Sequence, residues 1–103
     1  MKILFVKEIE DAGSHLIDLV GDGLGETAID SVYLQLTEDD TMSVTGTCMD
    51  SEEQVELAIV SLKDFNVANE VSSAGLYVVD AGALSSLTID LTSGEKVIVK
   101  AVY

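Results

Sequence analysis

The chain has 103 residues, enough for one domain with a core of its own and no need of disulfide staples. Its hydrophobic fraction of 48% and mean hydropathy of +0.36 exclude a disordered chain, even at a formal charge of −14. The five basic residues are all Lys against 19 acids, and without Arg there is no bidentate phosphate recognition, which argues against nucleic acid and anionic membranes as partners.

Taken in chain order, residues 2–9 and 14–20 are short apolar-rich runs separated by Asp11-Ala12-Gly13-Ser14 and followed by Gly21-Asp22-Gly23-Leu24-Gly25, each reading as a strand with a glycine turn behind it. The segment Met1 to Glu8 has too few apolar residues before charge returns to be a signal peptide, so synthesis and folding in a host cytoplasm are expected. Over residues 29–37, Val32, Leu34 and Leu36 fall on one face and Ser31, Tyr33, Gln35 and Thr37 on the other. After Glu38-Asp39-Asp40, the run from Thr41 alternates again. Met42, Val44, Gly46 and Cys48 face in, while Ser43, Thr45 and Thr47 face water. Residues 29–48 therefore read as a hairpin.

Residues 50–63 open like a helix cap, with Ser51 ahead of acids, but Val55, Leu57 and Ile59 alternate and favour one strand. A further strand is expected within 64–71. The last thirty residues read as three strands with turns at Asp80-Ala81-Gly82 and Thr92-Ser93-Gly94, with Leu87, Ile89, Leu91, Val97, Val99 and Ala101 facing in. About eight short strands at spacings near ten residues predict an all-β fold, a single β-sandwich over residues 1–103, jelly-roll or immunoglobulin-like. There is no Pro to guard the sheet edges, and acidic residues are expected to take over that role.

No residue cluster specifies a reaction. Gly21 to Glu26 lacks the spacing of a dinucleotide loop, and Asp22 and Glu26 would repel phosphate. Asp18, Asp22 and Glu26 are too widely spaced for a calcium loop, and Glu38 to Asp40 and Asp50 to Glu53 lack its alternation, so they read as solvated turns. The lone His15 sits beside Ser14, but strand neighbours point to opposite faces and cannot act together. The lone Cys48 reads as a small core residue. The expectation is a protein that is not an enzyme and carries no metal or cofactor.

The stretch Ser73-Ala74-Gly75-Leu76-Tyr77-Val78-Val79-Asp80-Ala81-Gly82-Ala83-Leu84-Ser85-Ser86-Leu87-Thr88-Ile89 resembles a pattern in structural proteins of tailed bacteriophages. There a Gly-aliphatic-Tyr strand reaches a Gly-Leu-Ser turn, and a Ser-Gly turn and a Val-rich strand follow, as Ser93-Gly94 and Val97-Ile98-Val99 do here. The pattern departs at Leu87-Thr88-Ile89-Asp90, where Arg is common in such proteins, and lacks their Trp-bearing strand. The resemblance implies a virion component: a capsid decoration protein, head-fibre base or tail accessory domain. Its expected partner is the major capsid or tail protein of the same particle, bound in several copies or as a small homo-oligomer, with Leu24, Leu76 and Leu84 as contacts. Two other readings stand beside it. One is a carbohydrate-binding module for host attachment using Tyr33 or Tyr77. The other is an acidic cytoplasmic inhibitor that mimics nucleic acid.

Overall fold

Eleven strands and no helix make up the described part of a computed structural model of the chain, which covers residues 3–19, 29–48, 51, 53–82 and 84–102, with side chains from residue 6 onward. The strands are β1 (Ile3–Ile9), β2 (Gly13–Asp18), β3 (Ser31–Leu36), β4 (Met42–Cys48), β5 (Gln54–Glu56), β6 (Ile59–Ser61), β7 (Val67–Ala68), β8 (Glu70–Val71), β9 (Gly75–Asp80), β10 (Leu84–Leu91) and β11 (Val97–Val102). They form a six-stranded sheet in the order β1-β11-β3-β9-β6-β7 and a five-stranded sheet in the order β2-β10-β4-β5. In the second sheet β8 pairs with β4 at Met42 and Ser43, on the edge that β5 occupies at Thr45 to Thr47. Every pairing is antiparallel.

Set aside the short strands β6 to β8, and the two orders become β1-β11-β3-β9 and β2-β10-β4-β5. The chain changes layer at each step through β1 to β4 and again through β9 to β11. This is the wrapped double-sheet order of a jelly roll. It corrects the expected hairpin over 29–48, because β3 lies between β11 and β9 while β4 lies in the other sheet. Alternation assigns a residue to a face, and Val32, Leu34 and Leu36 meet Met42 and Val44 from opposite sides of one interior. Those residues join Leu87, Ile89, Leu91, Val97, Val99 and Ala101 in a core drawn from both sheets.

Residues 50–63 are also corrected. They form two strands, with β5 in one sheet and β6 in the other, and the chain passes between layers at Leu57-Ala58. Val55 is accordingly exposed, Leu57 half-buried and Ile59 buried, so the three do not share a face. The strand expected within 64–71 divides in the same way, with β7 on β6 and β8 on β4. These two divisions account for most of the difference between the eight or so strands expected and the eleven observed.

One end of the sandwich is fastened by Asp40, which is not the solvated turn residue that its neighbours suggest. Its carboxylate is 5% exposed and accepts the N–H groups of Ser93 at 2.8 Å and of Gly94 and Glu95 at 3.0 Å. Burial pushes its pKa up, but the N–H donors of Ser93, Glu95, Thr41 and Gly94 outweigh that and hold it below the ordinary 3.8. Thr92 N–H donates to the Thr41 carbonyl, and the Thr37 N–H and hydroxyl both donate to the Lys96 carbonyl. Gly94 (φ +80°) lies so close to the β1–β2 corner that a Cβ would meet Ala12 N at 2.5 Å. Asp39 ties in the β8–β9 loop by accepting Ala74 N–H at 2.8 Å. The loops at this end form one hydrogen-bonded assembly.

Candidate functional site

The two sheets differ on their solvent sides. Directly opposed residues in an antiparallel ladder share a face, so the register defines each outer row. On the five-stranded sheet the rows are Ser14–Asp90–Ser43–Glu70, Leu16–Thr88–Thr45–Glu56 and Asp18–Ser86–Thr47–Gln54. This is a hydroxyl and carboxylate surface whose one large apolar residue is Leu16, and on it the Ser14 hydroxyl donates to the Asp90 carboxylate.

On the six-stranded sheet the central outer row is Val6–Lys100–Tyr33–Val78–Val60–Val67. It is apolar from edge to edge apart from the amphipathic Tyr33 and the Lys100 ammonium, whose methylene stem can lie along the neighbouring side chains. Val6 and Val67, at its two ends, are 55% and 63% exposed, and Tyr33, Val60 and Val78 are half-buried. The next row, Glu8–Ile98–Gln35–Leu76, adds half-buried Ile98 and Leu76 at 44% exposure. The acids Glu8 and Asp80 stand at the margins of this face. The ion pair Glu8 to Lys96, at 3.4 Å, is exposed and holds little energy. An apolar sheet face bordered by charge has the composition of an association surface, while the opposite face has that of a solvated exterior.

The sequence-selected contacts separate on this framework. Tyr33 and Leu76 lie on the apolar outer face, in adjacent rows. Tyr77 is buried on the inner side of β9, its hydroxyl donating to the Ser73 carbonyl, and burial together with Asp64 and Asp39 pushes its pKa above 10.0. It is a packing residue with no ring available for a sugar. Leu84 is also a core residue, its two terminal methyls directly over Gly46, so it offers no contact surface. Leu24 lies outside the described residues. Cys48 is a half-buried free thiol opposite Leu84 in the ladder. His15 Nε2 donates to the Asp11 carbonyl, which occupies it in local structure. Among the described residues no three His, Cys, Asp or Glu side chains converge on a metal position.

Val6, Val60, Val67, Val78 and Ile98 were missed as a surface, yet the chain carries a signal for them. Strands with one wet face alternate, as Thr41 to Thr47 and Leu87 to Asp90 do. Strands with two apolar faces read as unbroken runs, and Ile59-Val60, Leu76-Tyr77-Val78-Val79 and Val97-Ile98-Val99 are such runs. All three lie in the six-stranded sheet.

Two solved structures are similar to this fold. The SPBc2 prophage-derived protein YomS superposes over 99% of each chain with a TM-score of 0.64 and 8% identity. The PBSX exported protein XepA superposes over all of this chain and 40% of its own length, with a TM-score of 0.66 and 14% identity. At these identities the likeness is one of fold, and both neighbours are phage-derived. No protein-family model and no curated protein sequence matches the chain.

Proposed function

We propose that the protein is a non-enzymatic component of a phage particle that docks through the outer face of its six-stranded sheet onto a larger protein of that particle, capsid or tail. The observation that carries this is the cross-strand row Val6–Lys100–Tyr33–Val78–Val60–Val67, which spans the sheet and carries a single charge. Two-sided apolar strands fit two-sided burial, and the described residues supply cover for one side only. Resemblance of the C-terminal strands to phage structural proteins and fold similarity to two phage-derived proteins favour a particle as the setting.

Charge selects the partner. A second copy would bring −14 against −14, so the surface fits a foreign protein whose rim is basic or neutral better than it fits itself. Docked this way, the hydroxyl and carboxylate face of the five-stranded sheet is left toward solvent, which suits the outside of a capsid rather than its DNA-facing interior. The copy number is then set by the repeating surface beneath.

Quantitative mass spectrometry of density-purified particles tests the reading. The protein is expected in them at a fixed stoichiometry to the capsid or tail protein. Val78→Asp and Tyr33→Asp should each remove it while leaving the isolated protein folded, because neither side chain is in the core. Absence of the wild-type chain from every assembled particle refutes the proposal, and so does retention of both variants.

A further inference from the structure

Two open sheets have four edges, and three of the edges here are blunt. The edge strands β7 and β8 have two residues each, and β5 has three. Edge strand β1 has a register shift between Ile3 and Phe5 and carries Lys7 at a core-side position. Shortness, irregularity and inward charge are the usual means by which a sheet refuses a further strand.

The fourth edge, β2, has none of these devices. Its six residues pair with β10 in one unbroken register, from Gly13 opposite Leu91 to Asp18 opposite Ser86. It contains neither Pro nor Lys.

The ladder also fixes where the backbone of this edge points. In an antiparallel pair, directly opposed residues alternately exchange two backbone hydrogen bonds and none. Just past β2, Leu19 N–H donates to the Ser85 carbonyl at 2.9 Å, which puts Ile17–Leu87 and His15–Ile89 in the bonded phase. On the far side of β10, Thr92 N–H donates to the Thr41 carbonyl, so Thr88 and Asp90 bond toward β4. Ser14 and Leu16 are therefore in the open phase, with N–H and C=O directed off the edge of the sheet. Among the described residues, no backbone group pairs with them there.

The side chains describe the strand that fits. Leu16 is 62% exposed and is the one large apolar residue in the outer rows of its sheet. Those rows carry Asp18, Asp90, Glu56 and Glu70, and none of the sheet's strands contains a Lys. An added antiparallel strand would bond to Ser14 and Leu16, and its residue opposite Leu16 would share the outer face. An apolar residue there covers Leu16, while Lys or Arg two positions to either side meets the acidic rows. A second copy would instead set carboxylates against carboxylates, on a chain of −14. We propose that the β2 edge accepts an extended, basic segment of another protein as a further strand of the five-stranded sheet. Backbone hydrogen bonds supply the affinity, and the alternation of basic and apolar side chains supplies the choice of segment. This edge belongs to the other sheet from the docking face, and neither site requires the other.

Amide hydrogen exchange of the ¹⁵N-labelled protein tests it, with the end-capped heptapeptide Thr-Lys-Thr-Val-Thr-Lys-Thr as probe and its Glu-for-Lys counterpart as comparison. Without peptide, the Ser14 and Leu16 amides should exchange at least about tenfold faster than those of His15 and Ile17. The basic peptide should slow Ser14 and Leu16 saturably, by at least about tenfold, and leave His15 and Ile17 unchanged. Attraction to an acidic surface alone does not produce that period of two. The acidic peptide should bind at least about tenfold more weakly. Leu16→Pro, at an edge position whose N–H faces outward, should abolish the effect. Leu16→Lys, which leaves every backbone donor in place, should weaken the basic peptide at least about tenfold. Slow exchange at Leu16 in the isolated protein overturns the proposal, because the edge is then already covered. Slowing that grows with protein concentration alone also overturns it, by making a second copy the occupant. So does the absence of saturable slowing with the basic peptide, equal affinity for the acidic one, or undiminished binding to Leu16→Lys.

Discussion

Replacing Asp40 by Asn changes one atom and should cost a large share of the stability. The carboxylate presents two acceptor oxygens to the backbone N–H groups of the β10–β11 turn, besides that of its neighbour Thr41. Ser93 is on one oxygen, and Gly94 and Glu95 are on the other. Asn keeps a single oxygen, so whichever way its amide turns, its NH₂ confronts at least one N–H that has lost its acceptor. Each hydrogen bond to a charged group contributes about 1.5–3 kcal/mol net, so losing one or two puts the cost at about 1.5–6 kcal/mol. At about 4–8 °C per kcal/mol for a chain of this size, the melting temperature should fall by at least ~6 °C.

The pH dependence supplies the sharper check. The folded pKa of Asp40 lies below its ordinary 3.8, so its contribution is fully present above that value and is lost as pH falls through the lower folded value. Urea unfolding of wild type and Asp40→Asn, at neutral pH and in steps below pH ~4, should give equal m-values and a stability gap that closes with acidification. A gap under about 0.5 kcal/mol at neutral pH, or one that stays constant on acidification, would refute the assignment of the carboxylate as the fastener of this end.

Two glycines yield further checks. Gly94→Ala forces a side chain into positive φ and against the backbone of Glu10 to Ala12, so a loss of about 2–4 kcal/mol in chemical denaturation is expected. Gly46→Ala is different in kind. Its Cβ would meet the two terminal methyls of Leu84 at 2.8 Å and Leu57 Cδ1 at 3.1 Å, side-chain ends that can give way. About 1–3 kcal/mol is expected, and Leu84→Val should recover part of it, so that the double variant is more stable than the sum of the singles predicts. Simple additivity in that cycle would show that Leu84 is not the obstruction.

Strands β3, β4 and β10 were legible because they alternate along their whole length, and β1, β2, β9 and β11 because they are short apolar-rich runs between turns. Val32, Leu34 and Leu36 alternate with polar neighbours, as do Met42 and Val44, and Leu87, Ile89 and Leu91. What alternation cannot encode is the sheet to which a strand belongs. The β3–β4 loop fits a hairpin turn by length and composition, and only the tertiary anchoring of Asp39 and Asp40 reveals a crossing between layers. Residues 54–71 defeat the rule outright, because a strand that changes sheets at Leu57 or Asn69 reverses the meaning of its own alternation. Of the candidate contacts, Tyr33 was readable as outward from its polar neighbours. Tyr77 and Leu84 lie in the core, and an apolar residue near a glycine turn can belong to either the turn or the core.

The acidity of the chain gains a specific role from the asymmetry of its faces. An exposed, largely apolar sheet face invites self-association, and exposed edges add unpaired N–H and C=O groups to the hazard. No proline guards those edges. On edge strand β1 the guarding falls in part to Lys7, which occupies a core-side register position opposite Val99, a place where a charge discourages the docking of another strand. The face itself cannot be guarded that way without destroying it as a contact surface. Its margin and the opposite sheet carry the carboxylates instead, so that two copies approaching through their apolar faces repel over about a Debye length, ~8 Å at physiological salt, before any dispersion contact forms. A partner with a basic rim reverses the sign of that interaction while keeping the same apolar burial. In the proposed docking, charge outside the contact and apolar surface within it divide the work, with repulsion opposing self-association and attraction favouring a partner whose rim is basic.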